Sequence, residues 1–500
     1  MKMLVTDLGE PKIEVGNNQS GPNPKTLLSD FGPIGANGDS SSKVIEVGLV
    51  ALKSEVAPVR QWFQRMRRLL LDDESNAKRF REFPGIEKAF HCKFEVPDRF
   101  VRVIRDDKYA LAASGSGSAR FEALLDLYTN TIASLFIDPR PACILVCFPE
   151  ELASLRVSNP RLSYKERLIL EKLREEEETD QLHLFEPTEE EKKLAAELVP
   201  QAEELLFRNF HRALKARCML KPNPVPLQIL RRQAYVSQEA KQSDATRAWN
   251  LSLALYYKAG NIPWRPLGLP SGYCFVGVSF HHLKRRSGDV VYASVAQAFS
   301  NDIEPFALKG ASIPHDQVRN KHPYLKIEQA QALMENVIAE YEAHAGALPS
   351  HVVVHKTSEY QPDEEQGFRQ GLLKRIPGCD LVWLRPTGFR LLRRGMREPE
   401  RGILCTIEDG HHYLFTTGYV RWWDEYPGPH IPAPIEIGAV GETDIQARAR
   451  EILTLTKMNW NSAEGIGRHP ITVLFARKVG IVMTEMDEDA TPNPLYRFYM

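Results

Sequence analysis

The sequence has no apolar run that approaches the length of a bilayer span, so no membrane-crossing helix is expected. Its first residues, Met1-Lys2-Met3-Leu4-Val5-Thr6-Asp7, form no hydrophobic leader, so no secretory signal is expected either. Cysteine is sparse, with seven in 500 residues, and the positions (92, 143, 147, 218, 274, 379, 405) are scattered. An odd, scattered set excludes a disulfide framework and fits a reducing cytoplasm. Cys143 and Cys147 lie inside an apolar, strand-like run and read as core packing. The sequence contains no Walker loop, no zinc-ligand spacing and no Gly-x-Ser-x-Gly elbow. The pairs His281-His282 and His411-His412 have no partner ligands at metal spacing. Gly115-Ser116-Gly117-Ser118 reads as a flexible loop rather than a phosphate cradle.

Net charge is also lacking: the total is −1. The distribution is less even. Between 205 and 290 there are 14 Lys+Arg against 3 Asp+Glu, and between 369 and 401 there are 9 against 3. The compensating acid lies elsewhere, as in Glu175-Glu176-Glu177-Glu178. Clustering of one sign suits either a phosphate-binding groove or solvated helix faces, and charge alone does not separate them.

With 43% hydrophobic and 26% charged residues, the composition is that of a globular chain of more than one domain. Residues 1–42 are rich in Gly, Asn, Ser and Pro and read as a loosely ordered lead-in. From 43 to 265, buried strands (44–52, 90–96, 143–148, 226–230) alternate with helices (near 59–70, 121–135 and 245–258), which predicts a parallel, Rossmann-like sheet. A charged stretch over 165–206 reads as a surface insertion. From 266 to 500 a second domain opens with a hairpin, 273–280 and 290–295, and a strand near 305–308. An amphipathic helix over 330–341 and a buried strand, His351 to His355, follow. Three antiparallel strands, a helix and a strand are the opening order of an RNase H-like fold. The expected class is therefore α/β.

Two constellations stand out. His211 and Lys215 are i and i+4, so they share one helix face. With Gln228 on the next strand and Lys258 closing the long helix, they could converge on a terminal phosphate by charge-assisted hydrogen bonds. The second is a series of segments read as strands: Val276-Gly277-Val278-Ser279, Val354-His355-Lys356-Thr357-Ser358, and Ile471 through Gly480. These resemble the PIWI domain of Argonaute proteins, and 353–358 resembles the strand that reads His-Arg-Asp-Gly in slicing members. Met458-Asn459-Trp460-Asn461 and Pro470-Ile471-Thr472 resemble the late PIWI helix and strand, and 416–420 with 426–428 the strand and loop before them. His211 through Trp264 resembles the MID domain with its 5′-phosphate pocket. The resemblance spans most of 44–500.

This resemblance implies a Rossmann-like MID domain followed by an RNase H-like PIWI domain. Slicing Argonautes hold two divalent metals with an acidic tetrad, and two-metal phosphoryl transfer needs clustered carboxylates. Here the matching positions are Ser279, Thr357 and Arg477, so no slicing is expected; Asp316 or Asp363 would be the substitutes if there were any. No stretch resembles the N or PAZ domains, as in short prokaryotic Argonautes. Members of that family act with a partner carrying an APAZ region and an effector: a sirtuin-like NAD hydrolase, favoured here, a TIR-like one, or a nuclease. The implied ligands are a guide RNA and a single-stranded target DNA, and the implied role is cytoplasmic defence by abortive infection. In Argonautes the terminal carboxylate folds into the MID pocket and helps a Mg2+ ion hold the guide phosphate, which gives Met500 that role here; a final segment merely docked in the core is the alternative. Arg390, Arg393, Arg394 and Arg401 would line the guide or target backbone, with Arg385 and Arg397 as weaker candidates.

Overall fold

A computed structural model describes residues 2–35, 43–72, 76–158, 207–237, 242–284, 290–300, 304–314, 317–319, 322–372, 375–392, 398–408, 410–428, 431–487 and 489–500. The charged stretch over 165–206 lies outside the described residues, as do Arg393, Arg394, Arg397 and Asp316.

In chain order the elements used below are β1 (Met3–Asp7), α1 (Pro24–Phe31), β2 (Lys43–Leu52), α2 (Lys53–Arg65), β3 (Cys92–Glu95), β4 (Val101–Ile104), α3 (Gly117–Ala133), β5 (Cys143–Phe148), α4 (Phe210–Met219), β6 (Leu227–Arg231) and α5 (Asp244–Lys258). They continue with β7 (Tyr273–Lys284), β8 (Val290–Phe299), β9 (Phe306–Pro314), α6 (Ile327–Ala345), β10 (His351–Lys356), α7 (Pro362–Gly371), β11 (Gly378–Pro386), β12 (Ile403–Ile407), β13 (His412–Leu414), β14 (Ile435–Ala439), α8 (Ile445–Leu455) and α9 (Ile471–Met483).

The first sheet runs β6-β5-β2-β3, with β4 also pairing β2, and every pairing is parallel. Parallel strands are covered on both faces, which explains why all six residues of β5 are buried and read as one apolar run. Cys143 and Cys147 lie in this strand as free, buried thiols. The Gly/Ser stretch is not a loop throughout: Ser116 is the N-cap residue of α3, and Gly117 begins the helix.

The second sheet has nine strands in the order β1-β12-β13-β14-β11-β10-β7-β8-β9. Strands β7, β8 and β9 are antiparallel, while β7, β10 and β11 are parallel. Helix α6 presents Ala330, Leu333, Met334, Val337, Ile338 and Tyr341 to the core. The order expected of an RNase H-like fold is therefore present.

Two expectations need correction. The lead-in is not loose where it is described: β1 pairs antiparallel with β12, and Asn23 caps α1 by accepting from the backbone of Lys25 and Thr26. Glu10 reaches the buried cations Arg401 and Lys457. The composition of 1–42 hides these anchors because they come from long-range contacts. The run from Ile471 is a 13-residue helix, not a strand. Its β-branched start favours a strand, but Pro470 opens it as a helix and its length exceeds that of an ordinary strand. This helix packs on β7, β8 and α4, so it joins the two sheets. Gly277 permits the contact, since a Cβ there would lie 2.3 Å from Thr472 O.

Candidate nucleic-acid interface

Helix α4 begins at Asn209, whose side chain accepts from the backbone N–H of Arg212. Its buried face carries Phe210, Ala213, Leu214 and Cys218, and Lys215 is drawn inward beside them. Helix α5 is buried almost all round, from Ala245 to Lys258. Gly260 follows at φ +84°, the left-handed geometry that ends a helix, and a side chain there would press on Arg497. Lys258 thus closes the last turn of α5, where a cation suits the helix dipole.

The structure brings these residues together. Lys258 Nζ donates to Leu227 O at 2.9 Å, Gln228 Oε1 at 2.8 Å and the main-chain oxygen of Met500 at 2.7 Å. Lys215 Nζ donates to the same Met500 oxygen at 2.5 Å and to Tyr499 O at 3.4 Å. Met500 itself is 6% exposed, and Tyr496–Phe498 before it forms a single 3-10 turn rather than a strand. His211 lies on the same face of α4 with its ring edge-on to Phe148.

Electrostatically the cluster is short of negative charge. Burial pushes the Lys215 ammonium well below its usual range, and Lys258 and Lys478 push it further. Burial also pushes Lys258 down, to about 7, while the three oxygens facing its protons favour the charged form. His211 is held neutral by burial first, then by Lys215, Lys258, Arg231 and Arg212. Among the described residues no acidic side chain touches His211, Lys215, Lys258 or Lys478. Elsewhere in the same basic stretch the charge is spent internally: Arg208 pairs with Glu122 and Glu485, Arg217 with Glu122 and Asp126, and Arg232 with Glu55. The open alternatives for this stretch therefore divide by residue, and at the cluster, among the described residues, buried cations lie together without an acidic side chain. Sequence reasoning missed Lys478, because its helix was read as a strand.

Gln228 Oε1 and the Met500 oxygen are hard donors, the type that ligates Mg2+, but both already accept from Lys258, so a divalent ion here would need an anionic ligand to balance it. No group of three or more His, Cys, Asp or Glu among the described residues could hold a metal. A cation here would complete its shell with oxygens of a ligand or of water.

In the second sheet, Val278 and Lys356 are register partners, which sets Ser279, in the middle of β7, beside Thr357, just past the end of β10. Arg477 lies exposed on α9 rather than on a strand beside them. On α7, just after β10, Glu364 is fully buried. It accepts from Lys356 Nζ at 2.7 and 2.5 Å, from Leu325 N at 3.0 Å and from Gln361 N at 2.9 Å. His355 is held neutral, pushed down to about 3 by burial, and its Nδ1 hydrogen-bonds Thr472 Oγ1 at 2.9 Å.

Of the expected backbone-lining arginines, Arg390 is exposed on a loop after β11. Arg401 is not available for that role. Its side chain is 1% exposed, pairs with Glu10 at 3.0 Å and donates to Thr416 O, Leu453 O and Thr456 Oγ1. Burial among acceptors makes it an internal tie. Arg385 is held by Glu436 and Glu359, each at 2.8 Å.

No protein-family model matches the sequence, and no curated protein matches it. Solved structures do. Clostridium butyricum Argonaute bound to a guide DNA with a 5′ deoxycytidine and a 19-mer target DNA is similar with a TM-score of 0.59 at 13% identity, over 99% of this chain and 55% of that one. The fold is of the MID/PIWI type found in Argonautes. Aa-Ago with externally bound siRNA gives a TM-score of 0.56 at 14% identity, over 99% of this chain and 56% of that one. A. aeolicus Argonaute gives 0.55 at 13%, over 98% and 54%. The chain thus spans about half the length of the Argonautes it matches. In MID/PIWI terms, the cationic cluster lies where the first, parallel sheet meets α9 of the PIWI-type sheet. No described helix is long and apolar enough to cross a membrane.

Proposed function

We propose that this chain holds the 5′ phosphate of a guide RNA, pairs the guide with a single-stranded DNA target, and does not cut that target. The carrying observation is the convergence of Lys215, Lys258, Gln228 and the Met500 oxygen with no acidic side chain to balance them. In this reading Lys258 spends its three protons on oxygens and acts as a fixed charge behind the site. Lys215 keeps a proton direction for the phosphate, and Lys478 adds a third cation. His211, neutral at pH 7, donates one ring N–H. Gln228 Oε1 and the Met500 oxygen would face a Mg2+ ion, which would supply further positive charge to the phosphate.

The non-slicing part rests on Ser279 within β7, Thr357 just after β10, and Glu364 being committed to Lys356. Neither position offers a carboxylate to a two-metal centre. As in short prokaryotic Argonautes, pairing of the target would activate an APAZ-containing partner in the cytoplasm. We favour a sirtuin-like NAD hydrolase over a TIR-like enzyme or a nuclease. The test is to load the protein with a 5′-phosphorylated RNA and incubate it with complementary DNA and Mg2+ or Mn2+. Stable ternary complex with intact target is expected. A discrete cleavage product lost on Asp363→Asn would overturn the non-slicing reading, and failure to retain the RNA would overturn the guide-binding one.

A further inference from the structure

Across β13, β14 and β11 of the PIWI-type sheet, the face opposite the Leu384, Leu414 and Ile437 core carries a row of half-exposed rings. Strand alternation puts Trp383 and Arg385 of β11, Glu436 and Gly438 of β14, and Tyr413 of β13 on this face, because Arg385 and Tyr413 are both register partners of Glu436. Phe389 lies against Tyr413 with centroids 4.4 Å apart and planes within 5°. His411, two residues before Tyr413, is parallel to it within 8° at 6.2 Å. Trp383 lies flat over Gly438, where any Cβ would collide with the indole at 2.0 Å, and Arg385 covers it at 4.7 Å.

The loop that delivers Phe389 is built for it. Thr387 Oγ1 accepts from the Phe389 N–H at 3.0 Å, and Arg390 Nη1 donates to Thr387 O and Phe389 O at 3.0 and 2.8 Å. Arg390 therefore meets only carbonyls among the described residues, and its charge stays free. Two carboxylates meet this face: Glu436 is engaged by Arg385 and His411, and Glu359 by Arg385. Rings aligned in parallel beside a free guanidinium suit planar bases on a phosphate backbone better than an aliphatic protein surface.

We propose that Phe389, Tyr413 and His411 form a stacking platform for the bases of single-stranded nucleic acid, separate from the Lys215–Lys258 cluster, with Arg390 on the backbone. Bases stack on the outer ring faces, so the site tolerates any sequence.

The probe is a 5′-hydroxyl oligo-dT of about 12 nucleotides, a length in the range of known single-strand sites. An abasic oligonucleotide of equal length is the control, both read by fluorescence anisotropy on the full chain. Wild-type protein is expected to bind oligo-dT at least roughly tenfold more tightly than the abasic strand. Phe389→Ala/Tyr413→Ala loses that preference, while Phe389→Tyr and Tyr413→Phe keep it and show that the loop still folds. Equal wild-type affinities for the two strands overturn the proposal and leave the rings to a protein partner. So does a double alanine variant that retains the preference. Neither oligonucleotide carries a 5′ phosphate, so failure of the platform leaves the 5′-end reading standing, and the converse also holds.

Discussion

Replacing Lys215 with Met tests the cationic cluster at the residue best placed to reach a ligand. The residue is 7% exposed, and its ammonium donates to Met500 O at 2.5 Å, but its contact with Tyr499 O is long, at 3.4 Å. One proton direction is thus left for an anion. Methionine keeps most of the stem volume, and Met500 O keeps its bond from Lys258, so folding is expected to survive. A hydrogen bond to a charged group contributes about 1.5–3 kcal/mol. Loss of one such bond to the phosphate corresponds to roughly 10- to 150-fold in affinity. We predict that Lys215→Met weakens binding of 5′-phosphorylated RNA by that factor and leaves 5′-hydroxyl RNA within about twofold, near the scale of experimental scatter. Anisotropy titrations of the two RNAs at one salt concentration, with a melting curve for each protein, read both quantities. Equal weakening for both RNAs would refute the reasoning, because the charge would then act on the backbone generally.

Arg401→Ala is predicted to leave nucleic-acid affinity unchanged and to destabilise the fold by about 3–5 kcal/mol, since it removes one of Glu10's two cations and strands three acceptors; thermal or urea unfolding checks it. Burial pushes Glu451 up from 4.5 to about 7, against the pull of Arg448. Between those values the unfolded chain ionises this group while the folded chain holds the proton, so stability falls as pH rises, by at most about 3 kcal/mol. Glu451→Gln should flatten that fall in urea titrations across the window. Gly277→Ala forces a Cβ against Thr472 O, and should cost about 1–3 kcal/mol in unfolding free energy as α9 is pushed from β7.

Much of the fold is legible in the sequence because its signals are local. Alternating apolar strands and amphipathic helices predict both sheets, and the i, i+4 pair His211 and Lys215 predicts a shared face. Gly260 marks the end of α5 and so the position of Lys258. What the sequence hides is set by distant partners. Strand β1 takes its order from β12, and Glu10 from Arg401 and Lys457, across almost 400 positions or more. A run of basic residues does not reveal burial, so Arg401 looks like Arg390 until its acceptors are seen. The β-branched start of α9 resembles a strand, and with that reading Lys478 drops out of the cluster.

The central claim is recognition of a guide 5′ phosphate by the Lys215–Lys258 cluster with the Met500 oxygen. Its most direct test is the binding of one RNA with a 5′ phosphate and with a 5′ hydroxyl, each in Mg2+ and in EDTA. The account predicts that the phosphate and the metal each tighten binding severalfold. Four equal affinities would contradict it and reduce the cluster to a non-specific basic patch.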